Sequence, residues 1–142
     1  MPTDPFFLAP ATAEVSAAAA GNLVALAYRW THPDDRTQDG LLVIGPTDES
    51  DMVVALWGDS WHQSPAPKVI SGVIDGGEAR LTYVYADDWH WQITVDATEP
   101  DALRLRMSNV VPESAATDDM AAGSYLAMDT DLRRLTEKAG AR

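Results

Sequence analysis

The 142-residue chain contains no cysteine, which removes disulfides, thiolate metal sites and a cysteine nucleophile from consideration. Basic residues are scarce: ten Lys and Arg stand against 22 Asp and Glu, for a formal net charge of −12. A surface so acidic repels phosphate backbones and anionic membranes, so neither nucleic acid nor a membrane is an expected partner. No apolar run approaches the roughly 18 residues that a membrane span requires. The opening MPTDPFFLAP lacks a basic start and an apolar core of signal-peptide length, which makes the cytoplasm the expected location. What remains is ordinary for a globular protein: 46% hydrophobic and 23% charged residues, with acids interleaved among apolar stretches. The length fits one domain over 1–142, with 1–9 and 134–142 expected as loose termini.

The nine prolines all fall at or outside the ends of the apolar runs, as strands require, because proline has no N–H for a ladder. Alternation then sorts the runs. Over 102–111, Leu103, Leu105, Met107, Asn109 and Val111 share one face and Arg104, Arg106 and Ser108 the other. Over 89–97, Trp89, Trp91, Ile93 and Val95 oppose His90, Gln92, Thr94 and Asp96. Over 78–86, Ala79, Leu81, Tyr83 and Tyr85 oppose Glu78, Arg80, Thr82 and Val84. Asp75-Gly76-Gly77 joins that strand to 68–74 in a hairpin, since glycine reaches positive φ cheaply. Strands are also expected at 40–45 and 52–61, separated by an acidic turn.

The N-terminal third is more ambiguous. Its alanines favour a helix, yet Val24, Leu26, Tyr28 and Trp30 recur at period two after a Gly21-Asn22 turn signal. A hairpin of 11–19 with 22–32 is the reading adopted. A closing strand at 124–132 competes with a helix over 127–138, ahead of a polar tail at 133–142. Four of the five tryptophans lie in the meander 40–111. A meander this long must curl to bury its apolar face and remove its edges. The expected fold is all-β: an antiparallel up-and-down barrel of about eight to ten strands with little helix.

The strings LVALAYRW, QDGLLVIG, VVALWGDSWH, YADDWHWQI and LRLRMSNVVP resemble a group of uncharacterised bacterial proteins with a lipocalin-like (calycin-type) barrel. The likeness spans about residues 10–130 and is sharpest from Trp57 to His62 and from Met107 to Asn109. It departs from the group at His90, where a glycine is expected, and after Pro112. The resemblance implies a barrel with an internal cavity and no assigned activity. More distantly it implies similarity to barrels that bind fatty acids or, like nitrobindins, haem. No histidine stands out as a haem ligand, so no cofactor is expected, with haem and metal left open.

In the segment WGDSWH, Trp57, Asp59 and Trp61 share a face. A carboxylate between two indoles on an inward face is costly unless paired, which makes Asp59 a site candidate. It would accept from an imidazole, an indole N–H or a ligand. The plainer alternative has Gly58 bulging the strand, Asp59 capping the next loop and the tryptophans filling the barrel end. Asp59 with His62 is a weak candidate pair for acid–base chemistry, with Asp59 fixing the imidazole tautomer. Ser60 lies too close in sequence to form a triad with them, because triads assemble across a fold. His32, His62 and His90 each have an acid nearby but no ligand spacing, so no metal site is assigned.

Three classes of function fit these residues. The preferred one is a barrel binding a small apolar or aromatic ligand inside. Tyr28 and Trp30 would line it from the second strand, and Trp57, Asp59, Trp61 and His62 from the fourth. Tyr83 and Tyr85, Trp89 and Trp91, and Met107 and Asn109 would complete it. The alternatives are an enzyme using Asp59 and His62 on the same scaffold, or a structural protein that forms a homodimer.

Overall fold

The computed structural model describes residues 5–31, 36–61 and 66–135. Nine strands follow in order: β1 (Ala11–Ala18), β2 (Leu23–Thr31), β3 (Thr37–Pro46), β4 (Met52–Asp59), β5 (Lys68–Asp75), β6 (Glu78–Ala86), β7 (Trp89–Asp96), β8 (Ala102–Val111) and β9 (Gly123–Arg133). Each pairs antiparallel with the next, giving one sheet of order β1 to β9 that curls into a nearly closed barrel. Two short 3-10 turns, Ala19–Gly21 and Glu113–Ala115, are the only helical elements among the described residues. The ambiguous segments are therefore strands, the first over Ala11–Ala18 and the second over Gly123–Arg133. Over its described part the competing helix over 127–138 does not form, because β9 pairs with β8 from Gly123 to Arg133 with a single irregularity at Met107/Ser108. His32, His62 and the tail 136–142 lie outside the described residues.

An odd strand count explains why closure is incomplete. In an up-and-down sheet the first and ninth strands run the same way, so the closing pair would be parallel rather than a hairpin neighbour. β1 and β9 approach each other where Ala11 and Thr12 meet Met128 and Thr130, without a paired register. Small side chains along β1 bury little; seven of its eight residues are exposed, Val15 at 57%.

Alternation elsewhere packs a continuous core. Leu26 and Tyr28 from β2, Leu42 from β3, Trp57 from β4 and Ile70 from β5 meet Leu81, Ile93, Leu105 and Met107 from β6, β7 and β8. The central hollow expected from the resemblance is occupied by these side chains. Trp57 and Trp91 lie parallel across it, their ring centroids 6.3 Å apart and their planes 10° apart. The two indoles share the interior with the aliphatic side chains of the core cluster. The outward arginines of β8 meet acids: Arg104 Nε donates to Asp129 at 2.7 Å, and Arg106 Nη2 to Glu78 at 3.3 Å. The Arg104 guanidinium holds the Asp129 carboxyl below its usual range, chiefly through that hydrogen bond.

Turns and breaks in the ladder position the aromatic residues. Gly76 and Gly77 have φ of +55° and +95°, the paired positive values that a two-residue hairpin turn needs. Strand β4 ends at Asp59, two residues before the expected boundary, so Trp61 leaves the pleat. Gly58 pairs regularly with Leu41 and forms no bulge. The irregularities fall at Val84/Ala86 and Met107/Ser108 instead. The β5–β6 ladder stops at the Ser71–Thr82 pair. Beyond it, Lys68–Ile70 of β5 pair only with β4, and Tyr83–Ala86 of β6 only with β7. The two strands part there, just above Gly72, where a Cβ would lie 1.7 Å from the Arg80 carbonyl oxygen.

Candidate functional site

The candidate residues collect at one end of the barrel, where β2, β4, β6 and β8 finish. They form two groups joined by the Trp57–Trp91 pair. The first is built on a cross-strand row. Tyr28 pairs with Gly40, and Gly40 with Asp59, so a glycine separates the phenol from the carboxylate. A Cβ at Gly40 would sit 2.2 Å from the Tyr28 hydroxyl oxygen. With none there, the ring lies over β3 and its hydroxyl donates to Asp59 Oδ2.

That hydroxyl also accepts from Trp57 Nε1 at 3.1 Å, while Asp59 Oδ1 accepts the Trp61 backbone N–H at 2.7 Å. Burial pushes the Tyr28 phenol well above its ordinary range, and the adjacent Asp59 charge and hydrogen bond push the same way. Tyr28 is thus a committed donor. Asp59 gives both oxygens to protein donors, one of them two residues ahead, which is the loop-capping arrangement. Its inward burial is satisfied from β2, a partner that reading β4 alone does not reveal.

Ser60 is equally engaged. Its Oγ accepts the Asp39 backbone N–H at 2.9 Å and donates to Gln38 Oε1 at 2.8 Å, stitching the end of β4 to β3. Above this network Trp30 meets Trp61 edge-on, with centroids 4.7 Å apart, and Phe7 stacks on Trp30 at 6.3 Å. Tyr28, Trp30 and Trp57 are buried and Trp61 is half-buried, so this group is mainly packed scaffold. The sequence reading missed Phe7 and Gly40. The signal for Gly40 was the hairpin register, which sets it between Tyr28 and Asp59.

The second group lies around the parting of β5 and β6. Tyr83, Tyr85 and Trp89 form a run of rings, with centroids 6.4 and 6.3 Å apart. Tyr85 is 44% exposed, and Tyr83 and Trp89 are half-buried. The irregularity between Val84 and Ala86 turns this segment out of strict alternation. Tyr85 Oη donates to Asn109 Oδ1 at 2.9 Å, which accounts for the polar intruder on the apolar face of β8. Lys68, which the sequence reading also overlooked, places its ammonium 5.7 Å from the centre of the Tyr83 ring. Trp91 and Met107 lie beneath, in the core.

Not every candidate joins these groups. His90 takes the opposite face, paired with Val84 and Val110, and His62 lies outside the described residues. Among the described residues no cluster of His, Asp and Glu is arranged to hold a metal ion. At the β1–β9 seam a partly open recess against Tyr28, Trp30, Leu105 and Met128 measures about 10 Å³. That admits at most one water molecule. A groove of about 270 Å³ lies at the opposite end, lined by Asp96, Glu99, Arg104, Asp131 and Arg133. Its arginines already face acids, Arg104 with Asp131 and Arg133 with Glu99, so the aromatic end is the stronger candidate.

No family model matches the chain, and comparisons with curated proteins and with solved structures find no match. The class of protein is therefore defined by topology: an all-β, nine-stranded up-and-down barrel, nearly closed. No helix among the described residues is long and apolar enough to cross a membrane.

Proposed function

We propose that the protein binds a small, flat, apolar or aromatic molecule at the aromatic end of the barrel, on Tyr83, Tyr85 and Trp89. The observation that carries this reading is the contiguous run of half-exposed rings beside the unpaired ends of β5 and β6. The interior itself is filled by Trp57, Trp91 and their neighbours, so the rim supports binding better than the lumen does. Rigid rings in a contiguous run offer stacking surface at low entropic cost, each favourable aromatic pair contributing about 0.5–1.5 kcal/mol beyond burial. Asp59 and Tyr28 would act here as framework, fixing Trp57 and Trp61 behind the rim. An acid–base role for Asp59 is less well supported, because both of its oxygens serve protein donors.

Calorimetric titration with the neutral probe 2-naphthamide tests this. Saturable binding, weakened about tenfold or more by Trp89→Ala together with Tyr85→Ala, is expected. Absence of binding, with no small molecule carried through native mass spectrometry of protein from its own host, would contradict the reading.

A second reading, self-association, is favoured by β1. It pairs on one side only, carries neither proline nor lysine, and exposes seven of its eight residues, so beyond the approach of β9 at Ala11 and Thr12 its edge is open. An antiparallel β1–β1 contact with a second copy, centred on Val15, would set Glu14 opposite Ser16 and avoid facing acids. Light scattering during size exclusion should then show a dimer that Val15→Lys abolishes. A monomer at all concentrations would remove this reading.

A further inference from the structure

We infer that the rim site selects a monoanionic aromatic ligand, an aryl carboxylate, with Lys68 as its charge partner and Asn109 as its second donor. The inference rests on the proposed rim site and adds the charge of its ligand. Lys68 opens β5 on the inward side of the sheet, in line with Trp57 and Ile70, rather than on the outer wall where the arginines of β8 lie. It is half-buried, and among the described residues its one interaction is with the Tyr83 ring.

Among the described residues Arg29, Arg36 and Lys68 form no ion pair, and of these three only Lys68 is half-buried and inward rather than exposed. With 22 acids to ten basic residues, a cation has many carboxylates to meet, and the other five described cations, Arg80, Arg104, Arg106, Arg133 and Arg134, all form ion pairs. Asp59, the inward acid on the neighbouring strand, is turned to Tyr28 and Trp61 instead. The Lys68 ammonium therefore keeps its three donors for an occupant of the parting between β5 and β6.

Asn109 supplies the complementary half. Its Oδ1 takes the Tyr85 hydroxyl, which fixes the amide so that Nδ2 is the end left to donate. Lys68 reaches Tyr83, Tyr83 lies against Tyr85, and Tyr85 holds Asn109, so one ring surface links the two donors. A ligand stacked there would turn its carboxylate to a cation and an amide, while its ring covers tyrosine and tryptophan. The net charge of −12 limits the class further. The field of the whole protein repels polyanions, whereas a single carboxylate on an apolar ring gains the local cation at little long-range cost.

The test compares 2-naphthoate with its neutral isostere 2-naphthamide, by calorimetry at low salt, on the wild type, Lys68→Met and Asn109→Leu. Methionine keeps the stem over Tyr83 and removes the charge, and circular dichroism melts verify folding. Naphthoate should bind the wild type about tenfold more tightly than naphthamide. Lys68→Met should abolish that preference, lowering naphthoate affinity about tenfold more than naphthamide affinity, and Asn109→Leu should reduce the preference in part. If naphthamide binds and naphthoate binds no better, or if Lys68→Met lowers both equally, the anion inference is overturned while the rim site stands. If neither probe binds, the rim site falls and the inference falls with it.

Discussion

A single methyl group at Gly40 should dismantle the Tyr28–Asp59 network. The Cβ of Gly40→Ala would lie 2.2 Å from both Cζ and the hydroxyl oxygen of Tyr28, and 2.7 Å from Cε2. Non-bonded carbons prefer about 3.5–4.0 Å, so the ring must move by more than an ångström. It is 5% exposed and packed among core side chains, and the recess it lines, about 10 Å³, is too small to accept it. Displacement breaks the hydrogen bond to the Asp59 carboxylate, worth about 1.5–3 kcal/mol, and leaves the buried Trp57 indole N–H without its acceptor, at about 1–3 kcal/mol. Replacing a strand glycine returns about 0.5–1 kcal/mol. The net cost is about 2–5 kcal/mol, which lowers the melting temperature by roughly 6–15 °C in a domain of this size. Differential scanning calorimetry of Gly40→Ala, Tyr28→Ala and the double variant reads it directly. In the Tyr28→Ala background the clash is gone, so the added methyl should cost nothing. An unchanged melting temperature for Gly40→Ala, or an equal cost in both backgrounds, would refute the packing argument.

Three further outcomes follow from the same structure. The Tyr28 phenol is raised in the folded state, so above about pH 10 only the unfolded chain releases this proton and stability falls with pH. Urea titrations between pH 9 and 11 should show a loss of up to about 1.4 kcal/mol per pH unit that Tyr28→Phe removes. Gly72→Ala should be the most damaging glycine substitution, because its Cβ meets the Arg80 carbonyl oxygen, backbone that cannot swing away; chemical denaturation should show a cost of several kcal/mol, about 3 or more. Ala20 holds a φ of +57° in the β1–β2 turn, so Ala20→Gly should raise stability by about 0.5–1 kcal/mol in the same assay.

Much of the architecture was legible because it follows local rules. Alternation over 102–111 and 78–86 coincides with β8 and β6 to the residue, and Asp75-Gly76-Gly77 forms the turn that its glycines announce. The outward arginines of β8 found their acids for the same reason. Other features depend on where neighbouring strands place their residues. Asp59 looked like an isolated carboxylate between indoles until register brought Tyr28 across Gly40 to meet it. The incomplete closure at β1 needs the parity of the whole strand count, and the parting of β5 from β6 shows only where a ladder stops. Lys68 was overlooked because it precedes the apolar part of its strand; its inward direction appears once Trp57 is set opposite it.

The most direct test of the rim as a binding surface is an NMR titration with 2-naphthamide, following the five indole N–H signals together with the backbone amides. The Trp89 indole and the amides of Tyr83 to Ala86 should shift and saturate together, with the buried Trp57 signal moving least. Shifts centred on Leu103, Met128 and Leu132, or no saturable shift at all, would contradict it.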